Sequence, residues 1–245
     1  MPKLGGNMEN LAILGSKGAF QFSAVRVEDL GATEYTLVTI AMDRSGSVDS
    51  FKSELLQALK SVVGACKKSP RADNLMLRVI DFNHALNEIH GFKLLSTINE
   101  NDYAEPQPAG NTALFDAVYS SVGATLTYAK KLTDQDFSVN AICFIITDGC
   151  DNSSSTTPKS IADMIQNAKI GEEIESMLTI LVGINTSGCK QPLEDFQIDA
   201  KLNQFVDCGD ATAQRLAKLA TFVSKSISSQ SMALGSGGAS KPLTF

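Results

Sequence analysis

Three short polar segments of the chain carry side chains that could hold a hard metal ion. They are Asp43-Arg44-Ser45-Gly46-Ser47, Gly110-Asn111-Thr112 and Thr147-Asp148-Gly149. The side chains that could act as ligands all end in oxygen, and His and Cys are absent from the set: Asp43, Ser45, Ser47, Thr112 and Asp148. Oxygen ligands of this kind suit Mg²⁺, with Mn²⁺ or Ca²⁺ as alternatives, and they disfavour zinc. These five residues are therefore our candidate metal site.

The charges of this set also indicate what a bound ion could do. Two carboxylates neutralise a divalent ion, and three neutral hydroxyls fill only part of an octahedron. Mg²⁺ gives up its waters reluctantly and keeps them or takes an outside ligand. We therefore expect one open coordination position, to which a partner protein could offer an Asp or Glu carboxylate.

The pattern of apolar residues predicts an α/β domain in which helices cover a parallel sheet on both faces. Residues 35–42 and 139–147 have the continuous apolar character of strands that are buried on both faces. Further strands are predicted at 75–82, 88–97, 177–184 and 205–208, and helices at 50–68, 113–131, 160–169 and 211–228. Because the carboxyl ends of parallel strands open onto one crevice, we expect the three polar segments to converge there.

The motifs DRSGS, GNTALFDA and TDG occur in this order at the predicted strand ends. Together they resemble the metal-ion-dependent adhesion site (MIDAS) of von Willebrand factor A (vWA) domains, over residues 34–229. The resemblance implies a three-layer, Rossmann-like fold whose mostly parallel sheet has the order 3-2-1-4-5-6, with the third strand antiparallel at an edge. It also implies that Ser45, Ser47 and Thr112 touch the metal, and that Asp43 and Asp148 act directly or through water.

The resemblance favours an intracellular, prokaryotic or phage type of domain that binds a partner protein through the metal. One alternative is a structural or chaperone-associated assembly protein, for example one working beside an AAA+ ATPase, in which the metal only stabilises the loops. A metal-dependent hydrolase is less favoured. Asp43 at a strand end is also typical of haloacid-dehalogenase-type phosphotransfer, but Ser45 stands where those enzymes have a second aspartate. GxSxG, GxxxxGK[ST] and HExxH motifs are missing, so we predict no enzymatic activity.

Composition narrows the remaining functions. The formal net charge of −6 over 245 residues argues against sequence-independent binding to nucleic acid. The cysteine number is odd and no CxxC pair occurs, which predicts reduced thiols and a cytoplasmic protein. Apolar segments long enough for a signal peptide or a membrane span are missing, so we expect neither secretion nor membrane insertion. The oligomeric state stays open. The five cysteines are Cys66, Cys143, Cys150, Cys189 and Cys208.

The two ends of the chain differ from the predicted domain at 34–229. Residues 1–33 form an extension with an extra strand at 20–27. That strand cannot form a hairpin with residues 35–42 inside the sheet, so it must join an edge, cover a helix or reach another subunit. Residues 230–245 are rich in Gly and Ser and predict a flexible tail with a short apolar anchor at its end.

Other polar residues near the site have simpler interpretations. Asp116 lies in the first turn of its predicted helix, where a carboxylate complements the helix dipole. We expect Asp151 to be a solvated loop acid. His84 and His90, the two histidines of the chain, are predicted to lie away from the three site segments.

Overall fold

The computed structural model describes residues 6–13, 20–171, 174–238 and 240–245. Within these residues, eight strands form one sheet, and helices lie on both of its faces. The strands are β1 (Met8–Ala12), β2 (Gln21–Val25), β3 (Glu34–Asp43), β4 (Leu75–Phe82), β5 (Leu86–Leu94), β6 (Ser138–Thr147), β7 (Ser176–Gly183) and β8 (Gln204–Asp207). The α-helices are α1 (Lys52–Lys67), α2 (Leu114–Thr133), α3 (Pro158–Ile170), α4 (Lys190–Asp199) and α5 (Ala213–Ser236).

The strand order is β1-β2-β5-β4-β3-β6-β7-β8. Strand β3 pairs in parallel with β4 and β6, the series continues in parallel to β7 and β8, and β5 is antiparallel to β4. The six strands from β3 to β8 thus keep the expected relative order. The whole sheet differs from the prediction because β1 and β2 continue it beyond β5. Strand β5 is therefore antiparallel, as expected, but it is not an edge strand.

Burial on both faces explains why the central strands are so apolar. Every residue of β3 after Glu34 is buried, and so is every residue of β6 after Ser138. Helices α1 and α5 contribute Leu55 and Leu219 to the core on one face, and α2 and α3 contribute Val118 and Ile161 to the core on the other. This three-layer packing fixes the positions of the strand ends, where the candidate site lies.

The N-terminal extension joins the sheet through a close contact and a buried ion pair. A Cβ on Gly91 of β5 would lie only 1.8 Å from the carbonyl oxygen of Ser23, so glycine allows β2 to approach. Glu88 accepts hydrogen bonds from the backbone N–H and the hydroxyl of Ser23, and it pairs with Arg78 at 2.9 Å. Arg78 is only 1% exposed. Of the three expected placements, the structure has the strand added to the sheet beside β5, and β1 pairs with its other side as the edge strand.

The closing helix is longer than predicted, so the tail boundary at residue 230 is wrong. Helix α5 continues to Ser236 and ends at Gly237, which adopts a left-handed φ of 65°. The reason is that hydrogen bonds replace the apolar stripe after residue 227. Gln230 is buried, its side-chain N–H donates to the carbonyl oxygen of Ala141 at 3.0 Å, and its backbone carbonyl accepts from the Asn140 side chain at 2.7 Å.

The segment after this helix lies against the domain, which also differs from the predicted flexible tail. The Phe245 ring packs edge-to-face on Phe222, with ring centroids 5.5 Å apart. The Lys218 ammonium lies 4.4 Å from the centre of the same ring. Gln204 of β8 donates a hydrogen bond to the carbonyl oxygen of Leu243 at 3.2 Å. The apolar anchor predicted at the chain end thus contacts the core of its own domain.

Replacing Gly91 with alanine should destabilise the junction between β2 and β5. The added methyl group meets backbone atoms that cannot move away easily, and we expect a loss of about 1–3 kcal/mol in the free energy of unfolding. The matched control is Gly64→Ala in α1, where nothing lies within 4 Å of the new methyl group. Since alanine is the better helix former, the control should gain up to about 1 kcal/mol. Urea denaturation measures both, and equal stability of the two variants would contradict the described junction.

Deleting residues 240–245 should lower the free energy of unfolding by about 2 kcal/mol, because two half-buried apolar side chains lose their contacts. The control is Lys241→Ala, which changes an exposed side chain and should have no effect. Hydrogen exchange provides a second measurement. Unchanged stability after the deletion, together with unprotected amides in this segment, would restore the flexible-tail interpretation.

Candidate metal centre

The candidate site begins where β3 and β6 end side by side. These strands are in parallel register up to the pair Met42 and Ile146. Asp43 is the last residue of β3, and Asp148 follows Thr147, the last residue of β6. The Thr147 hydroxyl donates a hydrogen bond to Asp43 Oδ2 at 2.7 Å. The strand register therefore brings the two acidic loops together.

Asp43 is buried and held by hydrogen bonds to both carboxylate oxygens. It is 2% exposed, and its Oδ1 accepts from the backbone N–H of Ser45 at 2.7 Å, while its Oδ2 accepts from Thr147. Burial raises the pKa of Asp43, and these hydrogen bonds partly oppose that rise. The side chain is thereby fixed in orientation before any ligand binds.

A chain of oxygen atoms connects the loop after β3 with the loop after β6. The hydroxyl oxygens of Ser45 and Ser47 are 3.1 Å apart. Ser47 then donates to Asp148 Oδ1 at 2.8 Å. Four of the five predicted side chains thus lie in one hydrogen-bonded group.

Thr112 reaches the same place on a segment that crosses the end of β3. The backbone N–H of Thr112 donates to Asn152 Oδ1 at 2.8 Å, and its carbonyl accepts from the Asn152 N–H at 3.0 Å. The Thr112 hydroxyl oxygen lies 3.9 Å from the position a Cβ would take on Gly149, so it faces the loop that carries Asp148. All five predicted residues therefore meet at one end of the sheet, while their role as metal ligands stays a prediction.

His84 borders this site, so its predicted location away from the site segments is wrong. Gly110 has a φ of 73°, and its carbonyl accepts from the Gly46 N–H at 3.3 Å. His84 Nδ1 lies 2.5 Å from the position of a Cβ on Gly110, so the ring packs on this segment. His90 is buried instead, with Nε2 2.8 Å from the Tyr103 hydroxyl. Its pKa is lowered to about 4, mainly by burial.

Two acids for which the sequence predicted no role in the site, Asp116 and Asp151, attach the loop after β6 to the start of α2. Asp116 accepts hydrogen bonds from the backbone N–H groups of Ser155 and Thr156. Asp151 accepts from the Phe115 N–H at 3.2 Å, so it is not simply a solvated acid. The sequence signal for this clamp is the run of turn-forming residues at 151–155, directly after the TDG motif.

A disulfide joins Cys150 to Cys189, with their Cα atoms 5.7 Å apart. It connects the loop that carries Asp148 to the residue before α4. Cys66, Cys143 and Cys208 are buried free thiols. The prediction of reduced cysteines is therefore wrong for one pair. The reason is that the ends of adjacent parallel strands bring together residues that are 39 positions apart in the sequence.

Within the described part of the chain, the two site carboxylates have no cationic side chain paired with them. The pKa of Asp148 is raised to about 6, chiefly by burial, with the nearby charge of Asp43 adding to the effect. Arg44 lies next to Asp43 in the sequence but pairs with Asp81 at 2.8 Å. Over residues 6–13, 20–171, 174–238 and 240–245, neither site acid forms a salt bridge with Lys, Arg or His. A hard divalent cation fits this donor set and this charge.

Comparisons with known proteins identify the fold. No protein-family model matches the chain, and no curated protein matches it. Several solved structures do match. A D319A mutant of the PilB minor pilin from Streptococcus sanguinis has a TM-score of 0.57 at 14% identity, over 88% of this chain and 66% of the pilin. The pilus adhesin SpaC from Lactobacillus rhamnosus GG has a TM-score of 0.54 at 10% identity, over 91% of this chain and 33% of the adhesin.

The third similar structure is proximal thread matrix protein 1 from the mussel byssus, described with a zinc-occupied MIDAS motif. It has a TM-score of 0.52 at 16% identity, over 79% of this chain and 46% of that protein. At such low identities the likeness shows the fold, which is vWA-like. The chain spans 66% or less of the length of these three structures. Among the residues that the structure describes, no helix combines the length and apolar character needed to cross a membrane.

Replacing Asp148 with asparagine should stabilise the metal-free protein at neutral pH. Because the folded-state pKa of Asp148 is raised from 3.8 to about 6, the proton is bound more tightly in the folded state. The contribution of protonated Asp148 to the free energy of unfolding is complete below about pH 4 and is lost as the pH rises through about 6. In EDTA at pH 7 we expect a gain of roughly 1–2 kcal/mol for Asp148→Asn, and little difference at pH 4. Urea denaturation at both pH values measures this, with exposed Asp73→Asn as the control. A loss of stability at pH 7 would contradict the described electrostatics.

Proposed function

We propose that this chain is a metal-dependent protein-binding domain. Asp43, Ser45, Ser47, Thr112 and Asp148 would hold one divalent cation, Mg²⁺ in the first place, with Mn²⁺ or Ca²⁺ as alternatives. The ion would supply an electrophilic centre with an open position, to which a carboxylate of a partner protein binds. The role would be that of an adaptor or of a component in an assembly.

The observation that carries this proposal is the uncompensated pair of carboxylates within a preformed group of hydroxyls. Hydrogen bonds from Ser45 and Thr147 hold Asp43, and one from Ser47 holds Asp148. The charge of Asp43 contributes to the raised pKa of Asp148, so the two acids repel each other when both are ionised. A divalent cation removes that repulsion, and the neutral hydroxyls leave it electrophilic enough to attract a further carboxylate.

The surroundings of the site support a protein as the ligand. A cavity of about 500 Å³ lies beside Asp43 and Arg44, bordered by Leu55 of α1 and Ile89 of β5. A residue next to the partner's carboxylate could enter this cavity. The similar structures are described as a pilin, an adhesin and a matrix protein, one of them with an occupied MIDAS motif. These descriptions are in keeping with protein binding or assembly. The oxygen-only donor set favours magnesium over the zinc that occupies the MIDAS motif of the mussel protein.

A metal-dependent hydrolase is the second candidate, because the pKa of Asp148 is raised to about 6. A carboxylate with such a pKa could act as a general base at neutral pH. The binding function is preferred, since Ser47 already donates a hydrogen bond to this carboxylate and the chain offers no motif of a known nucleophile. Metal-dependent hydrolysis of a generic phosphomonoester by the purified protein would favour the enzyme.

The disulfide affects where the protein would work. Disulfides persist in oxidising compartments and are rare in the cytosol. The Cys150–Cys189 bond therefore weighs against the cytoplasmic location expected from the cysteine number, and we propose an oxidising compartment instead.

Metal binding is tested by thermal unfolding in excess Mg²⁺ or Mn²⁺ and in EDTA. A ligand that binds only the folded state stabilises it by about 1.4 kcal/mol at ten times its dissociation constant, so the melting temperature should rise. Asp43→Ala should lose most of this response. Asp49→Ala is the matched control, because Asp49 is a nearby exposed acid that pairs with Lys52. Identical melting curves with metal and with EDTA would count against the site.

Partner binding is tested by pull-down from the native host, with and without EDTA. We expect Asp43→Ala to abolish partner recovery while circular dichroism shows a folded domain, and Asp49→Ala to keep it. Recovery that is insensitive to both EDTA and Asp43→Ala would leave the metal only a stabilising role. That result would favour the structural or chaperone-associated assembly protein.

A further inference from the structure

We infer that the Cys150–Cys189 disulfide positions the metal-binding loop, so that the oxidation state of this pair sets the metal affinity of the site. The inference rests on the proposed function and adds its regulation. A reductant of the dithiol class, either a small molecule or a protein, would be the regulating partner.

Cys150 occupies a central position in the loop after β6. It lies two residues after Asp148, a proposed ligand, and two residues before Asn152, which holds the backbone of Thr112 through two hydrogen bonds. A shift of this short segment therefore displaces two proposed ligands from different parts of the chain at once.

The other end of the disulfide is firmly anchored. The Cys189 N–H donates to the carbonyl oxygen of Thr186 at 2.8 Å, and the Cys189 carbonyl accepts from the Leu193 N–H at 3.0 Å. Leu193 is 1% exposed and belongs to the core between the sheet and the helices on that face. The bond thus attaches the metal loop to a helix that is itself packed on the domain.

Without the disulfide, hydrogen bonds attach the loop to the start of α2 and, through Thr147 and Ser47, to the end of β3. Asp116, Asp151 and Asn152 provide the attachments on the α2 side. The described hydrogen bond to the Asp148 side chain comes from Ser47, which is exposed. Covalent attachment on the α4 side therefore adds a restraint on the position of this carboxylate to those that the hydrogen bonds provide.

The redox step is ordinary thiol–disulfide exchange. Two electrons and two protons convert the S–S bond into two cysteine thiols, and the dithiol that supplies them is oxidised to a disulfide. Both cysteines are partly exposed, so a reductant has access. Loss of groups that orient metal ligands commonly weakens binding by 10- to 100-fold, and we expect about tenfold weaker metal binding after reduction.

The test is a Mn²⁺ titration by calorimetry on the oxidised protein, on the reduced protein and on the double variant Cys150→Ser, Cys189→Ser. A phosphine is used as the reductant, since dithiols would chelate the metal. We expect the dissociation constant to rise about tenfold on reduction. The double variant should match the reduced protein and should not respond to the phosphine.

A general loss of stability must be separated from loss of positioning. Leu132→Ala is the control, because it removes a fully buried side chain at the far end of α2. It should lower the melting temperature without changing the Mn²⁺ affinity well below that temperature. Hydrogen exchange in EDTA gives a readout without metal: the Thr112 and Phe115 amides, which bond to Asn152 and Asp151, should exchange faster after reduction.

The possible results separate a failure of the redox inference from a failure of the proposed metal site. Equal Mn²⁺ affinity in the oxidised and reduced protein overturns the inference and leaves the proposed function intact. Absence of Mn²⁺ binding in both states overturns the proposed function, and the inference with it. A tenfold difference that Leu132→Ala also produces would mean general destabilisation and would overturn the positioning role.

Discussion

The parallel pairing of β3 with β6 is the constraint on which the candidate site depends. It aligns the two strands up to Met42 and Ile146; Asp43 follows directly on β3, and Asp148 comes two residues after Ile146, just past the end of β6. Core packing on both faces prevents either strand from sliding, since a shift of one residue would exchange the faces of its side chains. The hydroxyls of Ser45 and Ser47 and the segment with Thr112 are arranged around this fixed pair. The repulsion between the two carboxylates thus follows directly from the way the core is packed.

The sequence was sufficient for those features that depend on local pattern and on general rules for parallel sheets. The apolar runs at 35–42 and 139–147 predicted the central strands, and the rule that strand ends share a crevice predicted that Asp43, Thr112 and Asp148 would meet. The resemblance to vWA domains added the relative order of six strands, which the structure has from β3 to β8. Metal binding itself stays a prediction, because the sequence shows only the residues that could act as ligands.

Features that depend on contacts between distant residues were missed. Nothing near Cys150 in the sequence points to Cys189. The number of cysteines predicted reduced thiols, but whether two of them pair depends on which strand ends are adjacent in the sheet. The helix at the chain end continues through Gln230 because Asn140 bonds to its backbone carbonyl and the Ala141 carbonyl to its side-chain N–H, which no hydrophobic stripe could reveal. His84 was misplaced for a similar reason, since it contacts Gly110 across a loop.

The junction between β2 and β5 has a consequence for the order in which the chain folds. The pairing of Ala24 with Phe92 closes a long stretch of chain, and such closures lose more entropy than local contacts do. The buried guanidinium of Arg78 also needs its carboxylate partner in place before it leaves water, because an unpaired buried charge is costly. The β4–β5 hairpin brings Arg78 and Glu88 together locally, whereas the hydrogen bonds from Ser23 to Glu88 join residues 65 positions apart. We therefore expect β2 to dock late in folding, onto a β4–β5 hairpin in which Arg78 and Glu88 are already paired.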